Sequence, residues 1–86
     1  MKITFTEAAW EDYLWLQDND KKLLKRVNLL IKDIFRNPTE GIGKPELLKA
    51  NLSGYWSRRI TSEHRLIYSV AFGEITIIAC RFHYIL

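Results

Sequence analysis

The stretch that most limits what this chain can fold into is Asn51–Val70, NLSGYWSRRITSEHRLIYSV. Two runs rich in β-branched and aromatic residues flank the polar triplet Thr61-Ser62-Glu63, a pattern that predicts a β-hairpin with its turn at the triplet. The hairpin carries many charged and basic side chains for its length: Arg58, Arg59, Glu63, His64 and Arg65. Folding alone needs few cations there, so the stretch predicts a site for an anionic ligand.

Basic residues are distributed unevenly along the chain. Residues 1–43 contain seven Lys or Arg and seven Asp or Glu, whereas residues 44–86 contain six and three, so the net charge of +3 comes entirely from the second half. Such clustering is typical of phosphate recognition. A charge of +3 is too small for strong non-specific RNA binding at physiological salt, so we expect another component to present the substrate.

Length and composition indicate one small globular domain over residues 1–86. Of the 86 residues, 48% are hydrophobic and 27% charged, as in ordinary globular domains. Acidic residues within the first twenty positions leave no room for the apolar core of a secretory signal, and no run is long enough to span a membrane. We therefore expect a cytoplasmic protein with no membrane partner. The only cysteine, Cys80, is predicted to be a buried small hydrophobic residue.

Two helices are predicted in the first half of the chain. Thr6 can cap the first helix, in which one face is predicted to carry Trp10, Tyr13, Leu14 and Gln17, with Trp15 and Leu16 pointing elsewhere. For Trp15, packing on the neighbouring helix and contact with a partner are both open. The Asp18-Asn19-Asp20 segment restarts the helix, and apolar residues then recur at three- and four-residue steps from Leu23 to Ile34.

Strand patterns occupy the two ends of the chain. Lys2–Phe5 predicts a short strand, and the second half predicts strands over 55–60, 65–71 and 74–84. The order β-α-α-β-β-β indicates an α+β fold, in which two N-terminal helices pack on one face of a small antiparallel sheet. The polar side chains Arg59, Arg65 and His83 are then expected to converge on the other face.

These residue types suit metal-independent cleavage of RNA. The adjacent 2′-hydroxyl is the nucleophile, so the reaction needs a base, cations for the charge on the phosphorus centre, and an acid for the departing 5′-oxygen. The candidates are Glu46 as base, Arg59, Arg65 and Lys49 as cations, and His83 as acid. Phe82 and Tyr84 can stack on a nucleobase, and Glu63 is interpreted as a carboxylate that orients an arginine.

Each candidate also has a structural alternative. His83 can be incidental, and Glu46, Lys49 and the arginines can be surface ion pairs of little energetic value. His64 is assigned no functional role. No HExxH, HxxxH or CxxC spacing occurs, no glycine-rich dinucleotide motif is present, and we expect no metal and no cofactor.

The chain closely resembles a known family over nearly its whole length. The runs GIGKPELLKANLSGYWSRRITSEHRLIYSV and ACRFHY, with the opening EAAWEDYLWLQDNDKKLLKRVNLLIKDIFRNPTEG, are similar to the YoeB (Txe) toxins of the RelE superfamily. The resemblance implies a RelE-like fold and a ribosome-dependent mRNA endonuclease, the toxin of a type II toxin–antitoxin pair. It implies as partners mRNA in the A site of the 70S ribosome, a cognate YefM-like antitoxin and, in some members, a second copy as a homodimer.

The resemblance also implies residue roles. The family's base corresponds to Glu46, its phosphate-binding lysine to Lys49, and its acid to His83. The family's arginines correspond to Arg59 and Arg65, its site carboxylate to Glu63 and its final tyrosine to Tyr84. The chain departs from the family pattern by continuing past the His-Tyr pair with Ile85-Leu86. Two other function classes stay open: a non-cleaving toxin that acts by binding, as gyrase inhibitors of the same fold do, and a plain nucleic-acid-binding module.

Overall fold

The computed structural model describes residues 1–82 and contains two helices and five strands. In chain order these are β1 (Lys2–Phe5), α1 (Glu7–Asn19), α2 (Lys21–Arg36), β2 (Glu46–Leu47), β3 (Trp56–Arg59), β4 (Arg65–Ala71) and β5 (Glu74–Ala79). One turn of 3₁₀ helix at Ala50–Leu52 separates β2 from β3. The strands form a single sheet in the order β1-β5-β4-β3-β2.

The first helix begins after the predicted cap Thr6, and the second begins after Asp20, one of the three residues of the predicted restart. The Thr6 side chain accepts a hydrogen bond from the Ala9 N–H, and the Asp20 side chain accepts one from the Leu23 N–H. Both caps satisfy amide groups that have no partner within the helix. The second helix ends at Arg36, and Asn37 and Pro38 follow, since proline disfavours helical geometry in the residue before it.

The face of α1 that carries Trp10 and Leu14 is not the face that the core buries. The buried residues of α1 are Ala9 and Leu16, whereas Trp10 and Leu14 are 48% and 39% exposed. The small side chain of Ala9 lets the helix approach the sheet, and the Cys80 Sγ donates to the Ala9 carbonyl at 3.6 Å. Trp10 instead stacks on Tyr13 at the flank of the core.

The α+β class is confirmed, but the sheet is mixed rather than purely antiparallel. Strand β1 pairs in parallel with β5, with Ile3 beside Ile75 and Phe5 beside Ile77. The other pairings are antiparallel. A parallel pairing is available to β1 because two helices intervene and bring the chain back across the sheet.

The strand predictions also differ in number and length. The two-residue strand β2, for which no strand was predicted, pairs with β3, and β5 ends at Ala79 rather than at residue 84. A strand of two residues is too short to produce an alternating pattern. The glycine-rich segment before it leads Glu46 to the sheet, where it pairs with Ser57.

A β-bulge at Ile78 changes which residues of β5 face the helices. Tyr68 pairs with Ile77, but Ile67 pairs with Ala79, so Ile78 is an extra residue. Ile75 and Ile77 face the core, whereas Ala79 lies beside Ile67 on the other face. Simple alternation places all three on one face, and a bulge interrupts that alternation.

Both helices cover the same face of the sheet, as predicted. Their buried residues form one cluster with residues from β4 and β5: Ala9, Leu16, Val27, Leu30, Ile34, Leu66, Tyr68, Ile75 and Ile77. Cys80 belongs to this cluster, and burial raises the pKa of its thiol to about 12, which confirms its assignment as a buried hydrophobic residue. Within residues 1–82, neither helix combines the length and the apolar character that a bilayer crossing requires.

Candidate active site

Four strands place one residue each in a row across the face of the sheet that the helices leave uncovered. Glu46 pairs with Ser57, Ser57 with Ile67, and Ile67 with Ala79. Residues that pair across strands point to the same side. Ser57 and Ile67 in the middle of this row are buried, whereas Glu46 at its edge is exposed. We call this side of the sheet the helix-free face.

Two arginines form the next row of the helix-free face. Arg59 is the direct partner of Arg65 in the antiparallel pairing of β3 and β4, so their Cβ atoms are expected to lie about 4.5–5.5 Å apart. Arg59 follows Ser57 by two residues and therefore lies on the same side of the sheet as Glu46. The structure thus brings together three of the predicted site residues.

The Arg65 guanidinium is fixed by the hairpin loop. Its Nη1 donates to the carbonyl oxygens of Thr61 (2.6 Å), Ser62 (3.3 Å) and His64 (3.0 Å). These bonds hold a cation on the helix-free face without neutralising its charge. An arginine anchored in this way is pre-organised for a phosphate oxygen.

Glu63 lies in the same loop but does not hold an arginine within the described part of the chain. Its N–H donates to the Thr61 Oγ1, and its side chain is exposed. No ion pair among residues 1–82 joins the Glu63 carboxylate to Arg59 or Arg65. The orientation of Arg65 comes from carbonyl oxygens instead, and a role for Glu63 towards a ligand stays a prediction.

Lys49 is delivered by a short connection next to Glu46. It is exposed and precedes the 3₁₀ turn, and the Leu48 N–H beside it donates to the Tyr55 carbonyl at 2.8 Å. That bond anchors the connection to the chain entering β3. Lys49 is therefore three residues along the chain from Glu46 on an anchored segment.

Arg58, counted among the cations of the hairpin, does not belong to the site. Its side chain is on the helix side of the sheet and is 0% exposed. Its Nη1 donates to Asp33 Oδ2 at 2.6 Å, its Nε donates to the Tyr68 hydroxyl at 3.1 Å, and its Nη2 donates to the Asn37 carbonyl at 2.6 Å. The alternation of the strand predicts that Arg58 lies on the same face as Trp56 and Ile60, because it is two residues from each of them.

The buried Arg58 side chain holds the loop that leads to Glu46. Besides the bond to Asn37, it donates to the carbonyls of Glu40 and Ile42. The Asp33 carboxylate accepts a further bond from the Ile42 N–H at 3.0 Å. Because Arg58 and, to a smaller extent, Ile42 donate to it, the pKa of Asp33 falls from 3.8 to about 2. Asp33 therefore stays ionised in this network at neutral pH.

His83 and Tyr84, the predicted acid and stacking residue, lie outside the described residues. The chain that leads to them is attached to the site at Phe82. The Phe82 carbonyl accepts a hydrogen bond from the Arg65 N–H at 3.0 Å, and the Phe82 N–H donates to His64 Nδ1 at 2.7 Å. The sequence contains no local signal for this contact, because its two partners are separated by eighteen positions.

The assembled groups have the properties that a phosphodiester ligand requires. The helix-free face presents a carboxylate and two guanidiniums, with an ammonium group on the adjoining segment. Guanidiniums bind phosphate oxygens, and a carboxylate can accept a proton. Within residues 1–82, no three His, Cys, Asp or Glu side chains are grouped as a metal site would require.

Comparison with known proteins identifies the family. The sequence matches the profile of the YoeB-like toxin of bacterial type II toxin–antitoxin systems over residues 5–84. A toxin YoeB of Synechocystis sp. is 73% identical over 98% of both chains. A toxin YoeB of Escherichia coli K12 is 57% identical over 98% of this chain and 100% of its own.

Solved structures agree with this assignment. The YoeB/ParE toxin from Agrobacterium tumefaciens has a TM-score of 0.95 at 45% identity and covers 98% of this chain and 100% of its own. YoeB in a heterotetrameric YoeB–YefM complex from Staphylococcus aureus has a TM-score of 0.90 at 55% identity, with 98% of both chains covered. The predicted RelE-like architecture is therefore confirmed, and this chain belongs to the YoeB-like toxins of bacterial type II toxin–antitoxin systems.

Proposed function

We propose that this toxin is a ribosome-dependent mRNA endoribonuclease that cleaves messenger in the ribosomal A site and thereby inhibits translation. The observation that carries the proposal is the direct pairing of Arg59 with Arg65 beside Glu46 on the helix-free face. Like charges directly opposite each other destabilise a sheet. A phosphodiester between them relieves this repulsion, so the pair suits an anionic substrate.

The proposed reaction is an internal transfer at phosphorus. Glu46 removes the proton of the 2′-hydroxyl, the bond from that oxygen to phosphorus forms, and the bond from phosphorus to the 5′-oxygen breaks. His83 donates a proton to the departing 5′-oxygen. The products are a 2′,3′-cyclic phosphate and a 5′-hydroxyl. Imidazole suits this acid role, since its reference pKa is about 6.5.

The cations stabilise the transition state of this reaction. Arg59, Arg65 and Lys49 hold the charge that develops on the phosphorus oxygens. Arg65 contributes most, because its guanidinium is already oriented by the carbonyls of the hairpin loop. Tyr84 stacks on a nucleobase, and Glu63 faces the substrate strand from the loop.

The ribosome supplies what the small site lacks. Glu46 and Arg59 are exposed side chains of the helix-free face, and the net charge of +3 provides little general affinity for RNA. Orientation of the messenger in the A site therefore replaces a deep binding groove. The purified toxin should cleave naked RNA much more slowly than translated RNA.

The proposed protein partners follow from relatives of known structure. A YoeB of Staphylococcus aureus has been solved both as a dimer and in complex with YefM. We extend both associations to this chain: a YefM-like antitoxin that covers the site, and a homodimer. Mixing purified toxin with the product of the neighbouring reading frame tests the first, and sedimentation of the toxin alone tests the second.

A programmed-ribosome assay tests the proposed reaction. Arg65→Ala and His83→Ala should each lower the single-turnover cleavage rate at least about 100-fold, because each removes charge stabilisation or proton transfer. Lys32→Ala, which removes an exposed cation from α2, is the matched control and should cleave like the wild type. Mapped 5′ ends should fall within codons at ribosome-occupied sites.

Two outcomes contradict different parts of the proposal, the first the nuclease activity and the second its dependence on the ribosome. One is growth arrest by the His83→Ala variant that equals the wild type, with no messenger cuts in either strain. That outcome favours a toxin that acts by binding, as a gyrase inhibitor does. The other is equal cleavage of naked and translated RNA, which removes the ribosome from the proposal while leaving the chemistry.

A further inference from the structure

The last described residue of the chain is held by the β3–β4 hairpin through both its backbone groups. The Phe82 N–H donates to His64 Nδ1 at 2.7 Å, and the Phe82 carbonyl accepts from the Arg65 N–H at 3.0 Å. The His64 and Phe82 rings are also in contact, with centroids 5.3 Å apart. The hairpin therefore contacts the chain beyond the end of β5 at Ala79, and one of the two hydrogen bonds uses the His64 side chain.

The same segment is attached to helix α1 by a cation between two aromatic rings. The Arg81 guanidinium lies over the Trp15 ring at 3.5 Å and over the Phe82 ring at 4.4 Å. The Arg81 Nε is buried and has no hydrogen-bond partner among residues 1–82. The two aromatic contacts are therefore the described interactions of this guanidinium that attach the segment to α1.

His64 also connects this segment to the Arg65 guanidinium. Its carbonyl accepts bonds from Arg65 Nη1 and from the Ile60 N–H, each at 3.0 Å. Its Nδ1 acts as an acceptor, which assigns the ring proton to Nε2. One residue therefore contacts both a predicted catalytic cation and the backbone that continues into His83.

We propose that His64 is a positioning residue for the cleavage reaction. Through its Nδ1 it holds the Phe82 backbone beside Arg65, immediately before the proposed acid in the chain, and it does not itself touch the substrate. This inference rests on the function proposed above. Its role is local, because Phe82 is 55% exposed and neither residue belongs to the hydrophobic core. A misplacement of about 1 Å in a catalytic group can lower a rate by about 10²-fold.

The matched pair His64→Asn and His64→Gln tests the role of Nδ1. Both replacements are neutral amides, but the shorter Asn places its oxygen near the position of Nδ1, whereas the longer Gln reaches towards that of Nε2. We expect His64→Asn to retain at least about a third of the single-turnover cleavage rate on saturating programmed ribosomes, and His64→Gln to lose about 10- to 100-fold. The affinity for ribosomes should stay unchanged in both, since no substrate contact is removed.

Amide exchange reports on the contact independently of cleavage. The Phe82 amide proton should exchange slowly in the wild type and in His64→Asn, and at least about tenfold faster in His64→Gln. In the unsubstituted protein, an NMR coupling across the hydrogen bond between the Phe82 nitrogen and His64 Nδ1 should be measurable. This last experiment needs no variant and stays decisive if either substitution prevents folding.

Three results would overturn the inference. The first is wild-type cleavage by a folded His64→Gln variant. The second is equal impairment of both variants with the Phe82 amide still protected, and the third is the absence of the coupling in the unsubstituted protein. Failure of the proposed function has a different signature: His83→Ala and the wild type behave identically on ribosomes, while the coupling and the amide protection persist.

Discussion

Arg58 and Arg59 are adjacent in the sequence and have opposite roles in the fold. Arg58 lies under the helices, where Asp33, Tyr68 and loop carbonyls satisfy its guanidinium. Arg59 lies on the helix-free face, exposed and directly opposite Arg65. Successive residues of a strand point to opposite sides, so one arginine stabilises the structure and the other is available to a ligand.

The pairing of Arg59 with Arg65 predicts that replacing Arg59 raises the stability of the fold and lowers the cleavage activity. Arg59→Gln should raise the free energy of unfolding by roughly 0.2–1 kcal/mol at low salt, because it removes a like-charge pair across two strands. The gain should shrink in 1 M salt, where such charges are screened. Urea unfolding at both salt concentrations measures the effect, and the same variant should cleave more slowly on ribosomes.

Arg36→Gln is the control for this prediction, and its expected effect on the free energy of unfolding has the opposite sign. Arg36 donates to Asp33 in an ion pair at 3.0 Å, so its removal should lower stability slightly at low salt. A loss of stability in Arg59→Gln under the same conditions would show that the cross-strand arginines do not repel each other in the folded toxin.

Among the elements, the loop between α2 and β2 depends most on tertiary contacts. Arg58 donates to three of its carbonyls, and the Arg59 N–H donates to the Gly43 carbonyl at 2.6 Å. Gly41 has a φ of +135°, and a Cβ there would lie 2.0 Å from Asp33 Oδ2. Only glycine therefore allows the loop to close over Asp33, and the closed loop places Glu46 against β3.

The Asp33 carboxylate makes the stability of this loop dependent on pH. Its pKa is about 2 in the folded protein and close to the ordinary 3.8 in the unfolded chain. The unfolded state therefore binds the proton more readily, and the stabilisation is fully present above about pH 4 and is lost as the pH falls towards 2. Urea unfolding of the wild type and of Asp33→Asn between pH 5 and pH 2 should show a difference that shrinks with acidification. A difference that stays constant across this range would contradict the assignment.

In the whole molecule, strands from the two ends of the chain lie side by side in the sheet. Strand β5 lies between β1 and β4, and it contributes Ile75 and Ile77 to the core. Lys2 pairs with Glu74, seventy-two positions later. The cost of closing so long a loop is repaid only when β5 is present, so the helices and the hairpin are not a stable unit by themselves.

A truncation series tests this dependence. A chain of residues 1–71, which ends with β4, should lack a cooperative urea transition, because the sheet loses the strand between β1 and β4 and the core loses Ile75 and Ile77. A chain of residues 1–82 is the control and should unfold cooperatively. Circular dichroism and dispersed amide resonances distinguish the two results. Cooperative unfolding of the shorter chain would show that β5 is not required for the fold.

Much of the architecture could be predicted from local patterns. The caps at Thr6 and Asp20, the apolar periodicity of α2, and the hairpin turn at Thr61-Ser62-Glu63 depend on residues close together in the chain, and the structure confirms them. The buried face of α1 could not be predicted in the same way, because the core uses the small Ala9, whereas the larger Trp10 is half exposed.

The sequence by itself determined the order of the two helices and the longer strands, the hairpin with its cations and the family, because periodicity, capping and motif identity are properties of neighbouring residues. Only the tertiary structure decided the parallel pairing of β1 with β5, the bulge at Ile78, the burial of Arg58 and the contact between His64 and Phe82. Each of these joins residues far apart in the chain. Their formation depends on which surfaces the assembled core can bury and which hydrogen bonds it can satisfy, and no local propensity encodes that outcome.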